Sequence, residues 1–333
     1  MASGAFKHKS FKRSYREDYI RDLEVHGIMQ HILHSFKLIF ENWKIFLPFL
    51  FIMVILMIAM VGLMSENTYT GIKDVIDETA AENGANIGTF AKSAILLFST
   101  VFTGGLSADA TAGAGVVVAL LFLIIWLVSI FVIRHKMAGN KISLRDALYN
   151  SLSPLLSTFV VFVVAVVQAI PIIILVIAYS AAVETHFLDT PFYAILFLVF
   201  AGLMLLLSSY LLSSTIIALI AVSAPGMYPL EALKLSSEVM AGRRIRFVFR
   251  MIALVIILIA IWFIVMMPLI LFDLFMKQFE WTSFIPFIPI CLVFMSCFTG
   301  IYVAVYFYTY YRFMLKFDTK EENGKKRSRK KNK

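Results

Sequence analysis

Six long apolar runs alternate with polar segments along this chain, and each reaches the roughly 20 helical residues that cross about 30 Å of hydrocarbon. Their approximate limits are 45–64, 112–133, 155–183, 192–222, 251–272 and 287–311. A single apolar strand in lipid would leave its backbone polar groups unpaired, whereas a helix pairs them internally. The pattern therefore predicts an all-α integral membrane protein with six transmembrane helices.

Three amphipathic segments precede the first, third and fifth runs and resemble one another. Two of them share one spacing, in which Asp146, Ala147, Leu148 and Ser151 match Glu231, Ala232, Leu233 and Ser236. In the first copy, Ile32 and Ser35 keep the apolar and hydroxyl positions, and His31 replaces the alanine. We expect three copies of one unit, a cytoplasmic interfacial amphipathic helix followed by a transmembrane hairpin. The alternative is that composition alone makes these segments similar.

The domain organisation follows from these units. The first unit is the longest, because an exterior insertion at 65–111 separates its two spans. Residues 94–101 of this insertion are apolar but too few to cross a bilayer. We expect them to form a short helix that enters the outer leaflet, packs against a protein partner or covers the protein's own helices. The six-helix membrane domain occupies 28–312, after a cytoplasmic segment at 1–27 and before a polybasic tail at 313–333 that is expected to be disordered.

Lysine and arginine are distributed unevenly between the two sides that six spans define. Of the 30 basic residues, 27 lie in the terminal segments and in the loops on their side, and only Lys73, Lys92 and Lys277 lie on the other. By the positive-inside rule both termini are cytoplasmic, and we predict the cell (cytoplasmic) membrane as the location. The final KKNK matches a dilysine retrieval signal, so the endoplasmic reticulum membrane is the alternative for a eukaryotic source.

The composition excludes a water-soluble globular protein. Hydrophobic residues make up 60% of the 333 residues, charged residues make up 15%, and the mean hydropathy is +0.86. A water-soluble core of this length cannot enclose so much apolar surface, so the bilayer must be the solvent.

The span interiors contain polar residues but no ionisable ones, which argues against transport coupled to buried charge. Gln168, Ser209 and Ser213 are the intramembrane polar candidates. The two serines lie one turn apart and share a helical face, so we expect them to meet Gln168 across an interface or to line a wet groove. Pro171 predicts a kink in the third span. The histidines and cysteines form no ligand set, so we expect no catalytic residue, no metal and no cofactor.

Two basic clusters are candidates for contact with anionic lipid headgroups. They are Arg243, Arg244, Arg246 and Arg250 before the fifth span, and Lys325, Lys326 and Arg327 in the tail. A basic residue beside a membrane gains roughly 1 kcal/mol near an anionic surface. The tail lacks the interleaved aromatic residues that stack on bases, so we expect membrane lipids rather than nucleic acid as its partner.

The stretch 229–244, PLEALKLSSEVMAGRR, resembles the lead-in of the glycerophosphoryl diester phosphodiesterase membrane-domain family, and 32–44, ILHSFKLIFENWK, is of the same style. The resemblance implies a multipass protein built from repeated amphipathic helices and hairpins. In that family the membrane domain can precede a soluble phosphodiesterase barrel, which would need about 250 further residues. Only 21 residues follow Arg312, so we expect the resemblance to transfer no enzymatic activity.

These observations favour a non-enzymatic multipass membrane protein that organises lipids or a membrane complex through interfacial helices and the exterior insertion. An alternative is a transport permease subunit that works with a separate ATPase, since exporter permeases also place an amphipathic elbow before six spans. A third hypothesis is a lipid-modifying enzyme that uses Glu231 beside the arginines at 243–250.

Overall fold

The computed structural model describes residues 27–61, 112–185, 190–224, 226–276 and 287–331. Within these ranges the chain is helical, with short turns and no strand. The described helices are α1 (Ile28–Glu41), α2 (Trp43–Val61), α3 (Ala112–Met137), α4 (Leu144–Ser151), α5 (Leu155–Gln168), α6 (Ile170–Glu184), α7 (Pro191–Ala221), α8 (Pro229–Val239), α9 (Arg244–Met276) and α10 (Phe287–Lys331). The predicted insertion at 65–111, with its apolar stretch 94–101, and all but the last residue of 1–27 lie outside the described residues.

Six segments of the described chain are long and apolar enough to cross a membrane. They fall on α2, α3, α5 with α6, α7, α9 and α10, which are the six runs that the sequence predicts. At 1.5 Å per residue, the 31 residues of α7 extend about 46 Å, well beyond the hydrocarbon thickness of about 30 Å. The prediction of an all-α chain with six membrane-spanning helices is confirmed at this level.

The third span is interrupted near its middle. α5 ends at Gln168 and α6 begins at Ile170, with Pro171 as the second residue of α6. Proline lacks an N–H and its ring clashes with the carbonyl four residues earlier, but it is tolerated in a first helical turn. The Ala169 N–H still donates to the carbonyl oxygen of Ala165 at 3.0 Å. The span is therefore two helices that meet at a hydrogen-bonded joint.

The last described helix includes most of the C-terminal tail. α10 continues to Lys331, past the compact unit Gly27–Arg312. Glu321 and Lys325 have the i,i+4 spacing that favours an α-helix, and the next residue pair repeats it. That the tail at 313–333 is disordered stays a prediction.

The core lies where α3, the end of α7 and α10 meet. Trp126 of α3 joins the three helices, because its Nε1 donates to the Leu219 carbonyl oxygen of α7 at 3.4 Å and its ring lies 6.2 Å from that of Phe307 in α10. Trp262 of α9 donates to Thr299 Oγ1 of α10 at 3.0 Å. Apolar residues with no exposed surface on the three core helices include Ile125, Val128, Ile130, Ile217, Ala218, Ala304 and Val305.

Each of three short helices packs on the helix that precedes it in the chain, if the last helix is counted as preceding the first. α4 contacts α3, and α8 contacts α7. α1 is the first helix of the described chain, and it contacts the last one, α10, through Ser35 and Thr309. We call α1, α4 and α8 the lead-in helices, and the end of the bundle at which they lie the lead-in end.

Candidate functional site

The lead-in helices bury the positions that their sequences have in common. Side-chain exposure lies between 0 and 2% at His31 and Ser35 in α1, Ala147 and Ser151 in α4, and Ala232 and Ser236 in α8. Each serine hydroxyl donates to a carbonyl oxygen of its own helix, which satisfies the hydroxyl in a buried position. Mostly small side chains at these positions allow close contact with the bundle.

The contact between α1 and α10 is polar. Ser35 Oγ lies 3.2 Å from Thr309 Oγ1. His31 Nε2 lies 3.2 Å from the carbonyl oxygen of Tyr306, and the two rings meet edge to face at 4.6 Å between centroids. α1 is therefore held to the bundle along one face.

The rest of α1 presents two different surfaces. One exposed stripe is apolar, with 60–64% exposure, and consists of Met29, Leu33 and Phe40. The other exposed stripe is polar and consists of Gln30, His34, Lys37 and Glu41. At about 100° per residue, the buried, apolar and polar stripes occupy separate sectors around the helix axis. This arrangement matches a helix that lies where protein, lipid and water meet.

An exposed aromatic residue lies beside each lead-in helix. Trp43 begins α2 directly after α1, Tyr149 lies in α4, and Tyr228 precedes α8. Their exposed fractions are 54%, 83% and 71%. Aromatic side chains that carry a polar atom are enriched at both membrane–water interfaces.

Each lead-in helix also carries an exposed basic side chain. These residues are Lys37 in α1, Arg145 in α4 and Lys234 in α8, and we call them the basic collar. Lys37 Nζ lies 3.8 Å from a carboxylate oxygen of Glu41, with 73% of its side chain exposed. A surface ion pair of this kind contributes about 1 kcal/mol or less, so it does not tie up the ammonium group.

Two of the four arginines predicted to bind headgroups are buried. Arg243 and Arg250 are 6% and 9% exposed. The guanidinium carbon of Arg250 lies 5.2 Å from the ring centre of Tyr310 in α10, which is a cation–π distance. The two arginines are seven positions apart in sequence, so they lie on one helical face. The prediction of four headgroup ligands did not take this spacing into account.

The other two arginines are more accessible. Arg244 is half-buried, with its guanidinium carbon 4.6 Å from the ring centre of Tyr210, and Arg246 is exposed. The structure therefore does not bring the four arginines together on one surface. The predicted tail residues Lys325, Lys326 and Arg327 lie in the last part of α10, where the structure describes the backbone alone.

The intramembrane polar candidates meet different partners from those expected. Thr215 Oγ1 donates to Gln168 Oε1, and Ser208 Oγ donates to the Gln168 carbonyl oxygen at 2.9 Å. Ser213 instead donates to a carbonyl oxygen of its own helix at 2.6 Å, and Ser209 is half-buried. Ser208 and Thr215 are two turns apart, so they share the face of α7 that contacts α5. The prediction had chosen Ser209 and Ser213 from their one-turn spacing. The polar groups thus join α7 to α5 at the interrupted span.

A cavity of about 320 Å³ lies at the lead-in end, beside α4, the end of α3 and the start of α5. Its polar lining consists of Arg134, Asn150, Ser151, Ser153, Ser157 and Ser223. Arg134 Nη1 donates to the Ser223 carbonyl oxygen at 3.1 Å. The sequence gives no signal for this cavity, because Arg134 and Ser223 are 89 positions apart and belong to no motif.

Metal-ligating side chains do not converge in the described part of the chain. No three residues among His, Cys, Asp and Glu form a candidate metal site there. His31 is buried against α10 and His34 lies on the exposed polar stripe of α1, so the two histidines face apart. Cys297 is buried and Cys291 is half-buried, and neither is in a disulfide bond.

Comparison of the chain with protein-family models, with curated proteins and with solved structures gave no match. The six long apolar helices define a multipass helical membrane protein. The resemblance of 229–244 to the phosphodiesterase membrane-domain family stays a prediction.

Proposed function

We propose that this is a non-enzymatic membrane protein that holds anionic lipids around its cytoplasmic end. In this proposal each lead-in helix lies in the headgroup region ahead of a transmembrane hairpin, and both termini face the cytoplasm of a cell membrane. The observation that carries the proposal is the division of α1 into a buried, an apolar and a polar sector.

The three sectors of α1 restrict its environment. In bulk water the stripe of Met29, Leu33 and Phe40 would remain exposed, which disfavours that location because apolar surface is stabilised by about 25 cal/mol for each Å² removed from water. Deep in hydrocarbon the polar stripe with Lys37 and Glu41 would lose its hydration. The headgroup region satisfies both stripes, since acyl chains meet one and water meets the other.

The basic collar supplies the preference for anionic lipids. Lys37, Arg145 and Lys234 are exposed, and one of them comes from each of the three lead-in helices. Each basic residue near an anionic surface contributes roughly 1 kcal/mol. The placement of 27 of the 30 basic residues on one side supports a cytoplasmic orientation of this end.

Lipid analysis of the purified protein tests the proposal. The full chain would be extracted in a mild detergent from membranes that contain phosphatidylglycerol and phosphatidylcholine, and the retained lipids would be measured by mass spectrometry. Wild-type protein should retain phosphatidylglycerol in excess. The triple variant Lys37→Gln, Arg145→Gln, Lys234→Gln should lose this excess, by on the order of fivefold for each charge that contributes.

A charge-conserving variant is the matched control. Lys37→Arg, Arg145→Lys and Lys234→Arg alter the same three positions and keep every charge, so this protein should retain the wild-type lipid ratio. Equal ratios in the glutamine variant and in wild type would show that the collar does not select lipids, and the proposal would then be wrong.

A further inference from the structure

The cavity lies beside α4, whereas aromatic rings pack against α10 from α1 and from the start of α9. At α1, Phe36 stacks on Tyr302 with 4.2 Å between ring centroids. At the start of α9, which follows α8, Phe247 lies 5.4 Å from Tyr310. The wall of the α4 cavity contains small residues, among them Ser151, Ser153, Ser157, Ala224 and Gly226, as well as the larger Leu127, Phe131, Met227 and Tyr228. The volume of about 320 Å³ lies in the range of small-molecule sites.

The cavity has a positive charge in its wall. Arg134 is half-buried, and one of its terminal nitrogens donates to the Ser223 carbonyl oxygen at 3.1 Å. Among the described residues the only ion pair within 4.0 Å joins Lys37 and Glu41, so no described carboxylate neutralises Arg134. A planar guanidinium with further N–H groups is suited to oxyanions, and to phosphate in particular.

Neutral hydrogen-bond donors accompany this charge. Ser153, Ser157 and the Asn150 amide line the cavity, and no described residue hydrogen-bonds to their side chains. α5, a helix of 14 residues, begins at the cavity, with its N-cap Pro154 and its first-turn Ser157 in the wall. The partial positive charge of a helix N-terminus also favours an anion. Hydroxyl, amide and guanidinium donors thus surround one space.

We propose that this cavity binds a phosphate group, with Arg134 as the charged ligand and Ser153, Ser157 and Asn150 as neutral donors. Either a phospholipid headgroup or a free phosphate ester supplies that chemistry. The inference deepens the proposed function and depends on it for the headgroup as the natural source. It assigns one defined pocket, whereas the basic collar acts as a diffuse surface.

Binding measurements on the full chain in detergent test this site. The probes are inorganic phosphate, dihexanoyl phosphatidic acid and the uncharged dihexanoyl glycerol, and the readout is the dissociation constant from microscale thermophoresis. Wild-type protein should bind phosphatidic acid and not the uncharged lipid. Arg134→Gln should weaken binding at least about tenfold, the effect of losing one charge-assisted hydrogen bond.

Two further variants separate the pocket from general charge. Ser157→Leu fills the cavity and leaves Arg134 in place, so it should also weaken binding; Ser153→Leu, at an exposed position of the same wall, serves if the first variant does not fold. Lys141→Gln removes an exposed positive charge that lies outside the cavity lining, and it should bind phosphatidic acid as wild type does.

The outcomes distinguish the sources and the two proposals. Binding of inorganic phosphate together with phosphatidic acid indicates a site for phosphate itself, whereas binding of phosphatidic acid alone indicates a headgroup site that also needs the acyl chains. Wild-type affinity in Arg134→Gln or in the cavity-filling variant, or an equal loss in Lys141→Gln, would overturn the inference. Its failure would leave the lipid preference of the basic collar intact, and failure of the collar would leave Arg134-dependent binding intact.

Discussion

α3 and α10 pack closely at Gly300, and a substitution series there measures how tightly the core is packed. A Cβ atom added at Gly300 would lie 3.2 Å from Cγ2 of Ile125 and 3.2 Å from two ring carbons of Phe122. Ile125 has no exposed surface, so an added methyl group would have to displace a packed side chain. Small residues at helix interfaces in membranes allow such close contact, so we expect Gly300→Ala to be unfavourable.

Gly202 in α7 provides the matched position. A Cβ atom added there meets no atom within 4 Å. Both glycines lie inside long helices, so alanine gains the same helix propensity at each, about 1 kcal/mol. Overpacking at Gly300 costs about 1–3 kcal/mol and acts at that site alone. The alanine variants should therefore differ in free energy of unfolding by about 1–3 kcal/mol, with Gly202→Ala the more stable.

Unfolding by SDS in mixed micelles, followed by tryptophan fluorescence, provides the assay. Trp262 is 1% exposed and bonds to Thr299, the residue before Gly300, so its emission reports on this contact. Leucine variants at both glycines should widen the difference, because a larger side chain at position 300 forces α3 and α10 apart. Equal unfolding free energies for the two alanine variants would refute the close packing of α3 against α10.

The hydrophobic pattern predicted the spans, because the cost of exposing backbone and polar groups to lipid depends only on the local sequence. The interruption after Gln168 was likewise expected, since Pro171 acts on its own helix. Contacts between helices were harder to predict. Ser208 and Thr215 rather than Ser209 and Ser213 meet Gln168, and that choice depends on how α7 is rotated against α5, which spacing within α7 does not specify.

The arginines show the same limit. Arg243, Arg244, Arg246 and Arg250 have the same charge, yet two are buried and one is exposed. The difference arises from which face of α9 packs on α10. Arg134 was counted only as one charge among 27, because the small residues that make room around it belong to distant segments.

Three further predictions follow from specific contacts and from the proposed orientation. Gln168→Leu removes a hydrogen bond between α5 and α7 and should lower the unfolding free energy by about 1 kcal/mol, measured by SDS titration. A loss of several kcal/mol would contradict the assignment of one ordinary interhelical hydrogen bond to this side chain. Trp262→Phe should cost about 1 kcal/mol, since Thr299 keeps its own bond to a carbonyl oxygen at 2.7 Å. This SDS titration is followed by far-ultraviolet circular dichroism, because the variant removes the fluorescent reporter, and an unchanged free energy would mean that the buried bond is not formed. In a cysteine-free background, an impermeant maleimide should label Asn67→Cys on intact cells and Lys141→Cys only after lysis; the reverse pattern would invert the orientation.

The lengths of the lead-in helices suggest why one junction is open. α1 has 14 residues and α8 has 11, whereas α4 has only 8. At 1.5 Å per residue, α4 is therefore about 5–9 Å shorter than its counterparts and covers less of the bundle surface. Aromatic pairs pack at α1 and at the start of α9, and at α4 the cavity wall carries four serines beside Phe131 and Tyr228. The short α4 thus leaves a pocket beside Arg134. Under the proposed function, the diffuse attraction of the basic collar would raise the local concentration of phosphate groups, and the pocket would hold one of them by directed hydrogen bonds.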